Sequence, residues 1–211
     1  MYIMKKVLFV LYVVFLSFGV GNAQNVNVIM KNVLNKFNAS KNISADFIIS
    51  SSQMSAKGSI VMCGTKFRII TKDYMCWYDG KTQWIYTTYT NEVNLLEPSK
   101  EELEANNPYF AVMRYNTNFK PFLNSQTNTD YLVKLNSKNR YVDMSSLLLT
   151  IDKKTYQVKK AVATMIDNTS QTIELTNYKV NEKLDASVFV FDKKMVPQAT
   201  QVIDLRYNIN I

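Results

Sequence analysis

The clearest signal for the fold lies in residues 58–86, whose sequence is GSIVMCGTKFRIITKDYMCWYDGKTQWIY. Short runs of apolar and aromatic residues alternate there with turn residues at Gly64-Thr65 and Asp79-Gly80. Asp-Gly between two apolar runs is among the strongest short-range signals for a β-hairpin. We therefore expect a meander of antiparallel strands joined by tight turns.

The same pattern extends in both directions along the chain. Strand-like segments bounded by turn residues are predicted at 43–53, 57–63, 66–72, 74–78, 82–88 and 91–96, and again at 130–136, 141–151, 156–166 and 171–180. The C-terminal part, with Phe189, Phe191 and Pro197, is expected to add a last short strand or a loop.

Helical patterns precede this β-region and separate its two halves. Apolar residues in 25–37 recur at the i, i+3, i+4, i+7 spacing of an amphipathic helix. Ser99, followed by acidic residues, predicts the N-cap of a short helix, and Pro108 predicts the first turn of another that carries Phe110 and Met113. The predicted class is α+β and β-dominated: one strongly curved or partly closed antiparallel sheet, covered by an N-terminal helix and a central helical segment.

The first 23 residues have the organisation of a secretory signal. Lys5 and Lys6 precede an apolar run over residues 7–20, and small residues ending at Ala23 form a cleavage site. The run is shorter than the roughly 20 apolar residues of a membrane-spanning helix, so we expect cleavage after Ala23 rather than an anchor. The residue after this site is not cysteine, which argues against lipidation. We expect an exported, soluble product.

Removal of 23 of the 211 residues leaves 188, which we expect to form a single domain spanning residues 24–211. The formal net charge then falls from +8 to +6 because Lys5 and Lys6 are lost. The remaining lysines are scattered singly or in pairs, as in solvated strand edges and turns, so we predict no nucleic-acid partner. A mild positive field would favour approach to an anionic membrane surface or an acidic partner.

The composition excludes most common catalytic and metal sites. The chain has no His, which removes Ser–His and Cys–His catalysis, and its two cysteines cannot complete a metal site alone. It also lacks a Gly-rich phosphate-binding loop. Asp73, Asp79 and Glu92 could converge as in a glycosidase, but their positions at strand ends and turns favour solvated carboxylates. We predict no catalytic residues, no metal site and no cofactor.

Two interpretations of the cysteines remain open. In an oxidising compartment Cys63 and Cys76, on neighbouring predicted strands, could form a disulfide. Sequence alone does not show that their Cβ atoms approach closely enough. In the alternative, both are small buried hydrophobic residues.

Large apolar side chains are the unusual asset of this chain, which has 13 Tyr, 11 Phe and 10 Met. Such residues form either a dry core or the wall of a ligand cavity, and composition taken alone favours a core. Flexible Met and flat aromatic side chains would also suit an acyl ligand that must enter and leave.

Several motifs follow one another in a fixed order along the chain. A strand that starts at Gly58 leads into a turn before Lys66-Phe67-Arg68, and Asp79-Gly-Lys-Thr-Gln-Trp-Ile-Tyr86 comes next. Residues 107–113, 189–191 and 202–204 add further matching segments. This order resembles the periplasmic outer-membrane lipoprotein carrier family (LolA-like), whose pattern runs from a strand into a "PxKFR"-like turn and then "DGKxxWxY".

The resemblance implies an incomplete β-barrel with a helical lid and an apolar cavity for the acyl chains of lipoproteins. It implies acylated lipoproteins, an inner-membrane release complex and an outer-membrane acceptor as partners of a periplasmic protein, which we expect to be a monomer that makes and breaks no bond. The choice of face on each strand is open, because alternate residues face opposite sides. The candidate lipid-binding residues are Phe47, Ile49, Phe67, Ile69, Trp84 and Tyr86 in the sheet wall, and Phe110 and Met113 in the lid.

One departure from the family pattern bears on function. Many carriers have Arg-Pro before the "KFR" turn, where the Arg helps to keep the lid closed and ties transfer to energy-driven release. Here those positions hold Cys63 and Gly64. The departure favours either a divergent carrier or the alternative of a lipid-binding sensor or interaction domain without a transport role. Arg68, which matches the later Arg of the motif, is interpreted as a surface strand residue.

Overall fold

The computed structural model describes residues 25–100, 102–103, 115–138 and 144–206. The predicted signal peptide and the predicted lid residues Phe110 and Met113 lie outside these ranges. In chain order the described elements are α1 (Val26–Asn38), β1 (Ile43–Ser51), β2 (Ser55–Cys63), β3 (Lys66–Thr71), β4 (Tyr74–Tyr78), β5 (Gln83–Thr87), β6 (Glu92–Leu96), α2 (Tyr115–Asn118), β7 (Phe119–Gln126), β8 (Asp130–Ser137), β9 (Met144–Asp152), β10 (Val158–Met165), β11 (Ser170–Val180), the short 3₁₀ helices Ala186–Phe189 and Lys193–Met195, and β12 (Gln201–Asp204).

The strands form one twelve-stranded sheet in the order β12-β6-β5-β4-β3-β2-β1-β11-β10-β9-β8-β7. Strands β1 to β11 pair in antiparallel fashion, whereas β12 runs parallel to β6. Each predicted strand corresponds to an observed one, and the C-terminal part contains a strand. The predicted β-dominated class with one curved sheet is therefore confirmed.

Among the described strands, β7 is the one that the sequence pattern does not predict. It contains Pro121 and several polar residues, and it occupies the edge of the sheet beside β8. An edge strand tolerates Pro because the outer side of its backbone needs no partner in the ladder. Its pattern is weak because only one side of the strand is paired.

Local side-chain contacts explain where the elements begin. Oδ1 of Asn25 accepts a hydrogen bond from the backbone N–H of Asn27 (2.9 Å) and caps α1. The predicted N-cap at Ser99 is confirmed, since Ser99 Oγ accepts from Glu102 N–H (3.2 Å) and Glu102 Oε2 accepts from Ser99 N–H (2.8 Å). This reciprocal pair is a capping box.

The Asp79-Gly80 turn between β4 and β5 is built as its sequence predicts. Oδ1 of Asp79 accepts hydrogen bonds from the backbone N–H groups of Lys81 and Thr82, both at 2.8 Å. Gly80 has φ of +103°, a conformation that residues with a Cβ rarely adopt. The turn sets the register in which Trp84 lies opposite Trp77.

Helix α1 packs on one half of the sheet and covers its concave face. Its apolar stripe, represented by Ile29, Met30 and Val33, is buried in a cluster with Leu135 of β8 and Leu149 of β9. The helix therefore closes the β7–β10 side of the sheet, and the face of β1–β6 is left for other residues to cover.

The C-terminal segment, residues 181–200, crosses the outer, convex face of the sheet. The chain leaves β11, contacts β3 through the first 3₁₀ helix, and places Phe191 edge-on against Trp77 at 5.5 Å between ring centroids. Oγ1 of Thr200 then donates to Oδ1 of Asn91 at 2.8 Å, just before β12 joins the edge at β6. Strands β4–β6 are thus covered on their outer face.

Candidate ligand-binding cavity

A cavity of about 730 Å³ lies on the concave face of the sheet. Ile85 of β5 and Leu149 of β9 both line it, although they are seven strands apart in the sheet order. In a flat sheet seven strand spacings would separate them by about 34 Å. The sheet must therefore curl strongly around the cavity, as an incomplete barrel does.

Four of the six predicted sheet residues line this cavity. Phe47 and Ile49 project from β1, and Phe67 and Ile69 project from β3. The two members of each pair are two positions apart along their strand, so both face the same side. The structure brings these four side chains together, and their role in lipid binding stays a prediction.

Trp84 and Tyr86 do not line the cavity, and their assignment to its wall is wrong. Their strand presents Gln83 and Ile85 to the concave side instead. Trp84 and Tyr86 belong to an outer cluster with Trp77, and Tyr86 is only 3% exposed. The prediction chose the wrong face of β5 because Phe191 and Val196 of the C-terminal segment bury its outer face. Aromatic side chains therefore occur on the outer face and do not identify the face that lines the cavity.

Much of the opposite wall lies outside the predicted set. The unpredicted lining residues come from α1 and from the strands after the central segment. For those on β9 and β11, the period-2 alternation of apolar residues is the sequence signal that could have identified them. They are Val33, Leu34, Phe37, Leu147, Leu149, Val158, Ala161, Ile173 and Leu175.

The charged residues that line the cavity are exposed. Lys36 lies in the last turn of α1, Glu97 follows β6, and Glu102 lies in the capped helical turn after Ser99. The rest of the described lining is apolar or uncharged. An apolar ligand would thus meet charge only where the cavity reaches solvent.

Tyr74, Cys76 and Gln83 form a polar cluster on β4 and β5. Nε2 of Gln83 donates to Sγ of Cys76 at 3.3 Å. Burial raises the pKa of Cys76, and hydrogen bonds from Tyr74 and Gln83 partly offset that rise. Burial also raises the pKa of Tyr74, and it raises the pKa of Tyr178, another lining residue, to about 12. These groups are therefore neutral near pH 7.

Cys63 and Cys76 are free, and the geometry excludes the disulfide left open above. Cys63 lies at the end of β2 and Cys76 lies in β4, so β3 separates them and they are not on neighbouring strands. Two strand spacings place their Cα atoms at least about 9.6 Å apart, whereas a disulfide requires less than about 7 Å. Cys76 is a buried small residue, and Cys63 is half-buried.

Arg68 lies on the outer face, where it pairs with Val61 of β2 and Trp77 of β4. It does not face the cavity, in agreement with its interpretation as a surface strand residue. Partial burial lowers the pKa of its guanidinium.

Among the described residues, no group of three His, Cys, Asp or Glu side chains is placed to hold a metal ion. In the same residues, no helix has the length and apolar character required to cross a membrane.

The fold and the cavity together define a class of protein in which an open, curved sheet and a helix enclose an apolar space. The model of the family "Outer membrane lipoprotein carrier protein LolA" matches residues 22–169. The chain belongs to this family. No curated protein matches its sequence.

Structural comparison found solved structures that are similar to this chain at low sequence identity. A conserved protein from Thermus thermophilus is 12% identical, covers 86% of this chain and 99% of its own, and superimposes with a TM-score of 0.58. A LolA superfamily protein from Nitrosomonas europaea is 10% identical over 81% of this chain and 99% of its own, with a TM-score of 0.41. The Mycobacterium tuberculosis lipoprotein LppX is 10% identical over 76% and 97%, with a TM-score of 0.46. The likeness to the Thermus thermophilus protein, at 12% identity, concerns the fold alone.

Proposed function

We propose that this protein is a periplasmic carrier that shields the acyl chains of lipoproteins during transfer from the inner to the outer membrane. The observation that carries the proposal is the cavity of about 730 Å³ with its largely apolar lining. Its volume falls within the range of about 300–1,000 Å³ typical of ligand pockets. Membership of the lipoprotein carrier family supports the same conclusion.

The wall can supply the free energy that a carrier needs. Burial of one methylene contributes about 0.8 kcal/mol, so ten methylenes would contribute about 8 kcal/mol. That free energy corresponds to a dissociation constant of about 1 μM. Affinity of this order would hold an acyl chain across water and still permit release to an acceptor that binds it more tightly.

Export and partners belong to the same proposal. The signal over residues 1–23 would deliver the chain to the periplasm. An inner-membrane release complex would load the cavity, and an outer-membrane acceptor would empty it. The protein itself would perform no chemical step, so the direction of transfer would follow from the relative affinities of the three sites.

A second candidate function, lipid sensing without transport, is favoured by the β2–β3 turn. Cys63 and Gly64 occupy the positions at which many carriers have Arg-Pro. Gly64 has φ of +60°, which proline cannot adopt. The turn therefore differs from an Arg-Pro turn in conformation as well as in charge, and no Arg is available there to hold a lid closed.

A vesicle assay separates the two functions. Donor vesicles carry a fluorescent diacylated lipopeptide, acceptor vesicles carry a quencher, and the purified mature protein is added in substoichiometric amounts. A carrier raises the transfer rate in proportion to its concentration. A sensor forms a complex with the lipopeptide, detectable by native mass spectrometry, without raising that rate. Absence of any complex contradicts both functions.

A further inference from the structure

The polar cluster of Tyr74, Cys76 and Gln83 lies in the wall of the cavity proposed to hold acyl chains. Tyr74 and Gln83 line the cavity, whereas Cys76 is only 1% exposed. Hydrophobic neighbours surround the cluster, among them Ile69 and Ile85. A hydrocarbon wall needs no such groups, so their presence requires a separate explanation.

The register of β4 and β5 sets the geometry of the cluster. Cys76 lies opposite Ile85, and Gln83 lies opposite Tyr78, so the Gln83 side chain reaches Cys76 diagonally. Its Nε2 donates to the thiol sulfur at 3.3 Å. The sulfur of Cys76 is buried, and the carboxamide of Gln83 borders the cavity. The thiol therefore lies on the protein side of the carboxamide and fixes its orientation toward the cavity.

Part of the hydrogen-bonding capacity of Gln83 remains open to a ligand. A carboxamide has two N–H donors and an acceptor oxygen, and the contact with Cys76 occupies one N–H. Within the described part of the chain, Oε1 and the second N–H of Gln83 have no hydrogen-bond partner. A purely hydrocarbon ligand would leave these groups unsatisfied, which is costly in an apolar site.

We propose that Gln83, supported by Cys76 and Tyr74, forms a subsite for the neutral carbonyl of an ester- or amide-linked acyl chain. The inference rests on the proposed function and adds a polar anchor to it. A carbonyl oxygen accepts from the free N–H of Gln83, and an amide N–H can also donate to its Oε1. A carboxylate fits poorly, because the only cation among the described lining residues is Lys36, which is exposed.

Displacement of a bound fluorescent fatty acid tests this subsite with three competitors built on one C16 chain: an N-methyl amide, a methyl ester and a methyl ether. We expect the wild-type protein to bind the amide and the ester about three- to tenfold more tightly than the ether, the effect of roughly one net hydrogen bond. Tighter binding of the amide than of the ester would indicate that the ligand makes both hydrogen bonds, accepting from the Gln83 N–H and donating to its Oε1.

The variant Gln83→Leu should lose this preference and retain its affinity for the ether. Trp84→Phe, on the same strand but facing away from the cavity, is the matched control and should keep the preference. If Gln83→Leu does not fold, Gln83→Asn serves in its place, since it withdraws the amide by one methylene and should also lose the preference.

Equal affinity of the wild-type protein for all three competitors, or a preference that persists in the Gln83 variant, overturns the subsite. Failure of the wild-type protein to bind the fatty acid or any competitor counts instead against the proposed carrier function. The two failures are therefore distinguishable.

Discussion

Phe47 and Gly58 lie opposite each other on β1 and β2, and the ring of Phe47 occupies the space in which a larger residue 58 would need its side chain. A Cβ at Gly58 would stand 2.5 Å from Cζ of Phe47 and would also press on the backbone oxygen of Ile70. The absence of a side chain at position 58 thus leaves room for the ring of Phe47 in the cavity wall.

The first prediction concerns this contact. Gly58→Ala should reduce the free energy of unfolding by about 1–3 kcal/mol, the usual cost of overpacking. Chemical denaturation measures it. Phe47→Leu in the Gly58→Ala background should cost less than Phe47→Leu alone, because it removes one of the three close contacts of the new Cβ, the other two being with the Ile70 oxygen and Cγ2 of Thr71. Additive costs would contradict the close approach of ring and glycine.

The second prediction tests the inner lining with a space-filling substitution. Ala161 lies on β10 and lines the cavity, so Ala161→Phe should place a ring in open space and weaken acyl binding. Fluorescent fatty acid titration measures the affinity. Val162→Phe, at the next position and on the opposite face, is the control. Similar affinities for both variants would mean that the acyl chain lies elsewhere.

The third prediction concerns the outer face. Trp84→Ala should destabilise the fold by about 3 kcal/mol, at the low end for a Trp deletion because the residue is half-buried. Thermal unfolding with and without a saturating acyl ligand measures the loss. The affinity of the folded variant for the ligand should be unchanged. A loss of ligand binding without a loss of stability would indicate that Trp84 lines the cavity.

The fourth prediction concerns the thiols. Both cysteines should react with a thiol reagent in the unfolded protein without prior reduction, because β3 keeps them apart. In the folded protein Cys63 should react first, since Cys76 is buried and its pKa is raised by that burial. Mass spectrometry of the labelled peptides distinguishes the sites, and an unreactive pair before reduction would establish a disulfide.

The fifth prediction is a loss of stability at acid pH. Lys159 Nζ lies 2.5 Å from Oδ1 of Asp130, and this ion pair lowers the pKa of that carboxyl. Hydrogen bonds also lower the pKa of the Asp152 carboxyl, and the largest effect comes from the backbone N–H of Thr155. Both folded values lie below the usual Asp value of about 3.9, so this stabilisation is present above pH of about 4 and is lost as pH falls through the folded pKa.

Denaturant midpoints measured between pH of about 5 and 2 should therefore decrease, and Asp130→Asn should reduce the slope over this range. Lys160→Met, which removes an exposed pair with Glu174, is a control that should leave most of the slope. A slope unchanged by Asp130→Asn would assign the acid sensitivity to other carboxyls.

Local pattern accounts for most of the secondary structure. Helix α1, the Asp79-Gly80 turn and the N-cap at Ser99 are predicted because each depends on contacts within about four residues. Strand β7 is missed because it is an edge strand that contains Pro121. Only one side of its backbone is paired, so its sequence need not follow the usual strand pattern. For the candidate site, the side chains chosen on β1 and β3 line the cavity, and the outer faces of these strands carry polar residues such as Ser44, Asp46 and Arg68. The role of the chosen side chains in lipid binding stays a prediction.

On β5 the same reasoning selects the wrong face. Trp84 and Tyr86 are larger and more aromatic than Gln83 and Ile85, yet they point outward, because Phe191 and Val196 arrive there from over a hundred residues later in the sequence. A strand that is buried on both sides has no polar face by which the inner side can be recognised.

The sequence by itself determined the strands, the tight turns, the first helix and the family to which the chain belongs, because these follow from neighbouring residues and their order. Only the tertiary structure decided which faces enclose the cavity, that two cysteines stay apart, and that Gln83 stands in an apolar wall. Those outcomes depend on sheet curvature and on the path of the C-terminal segment, and both arise from contacts between residues that are distant in sequence.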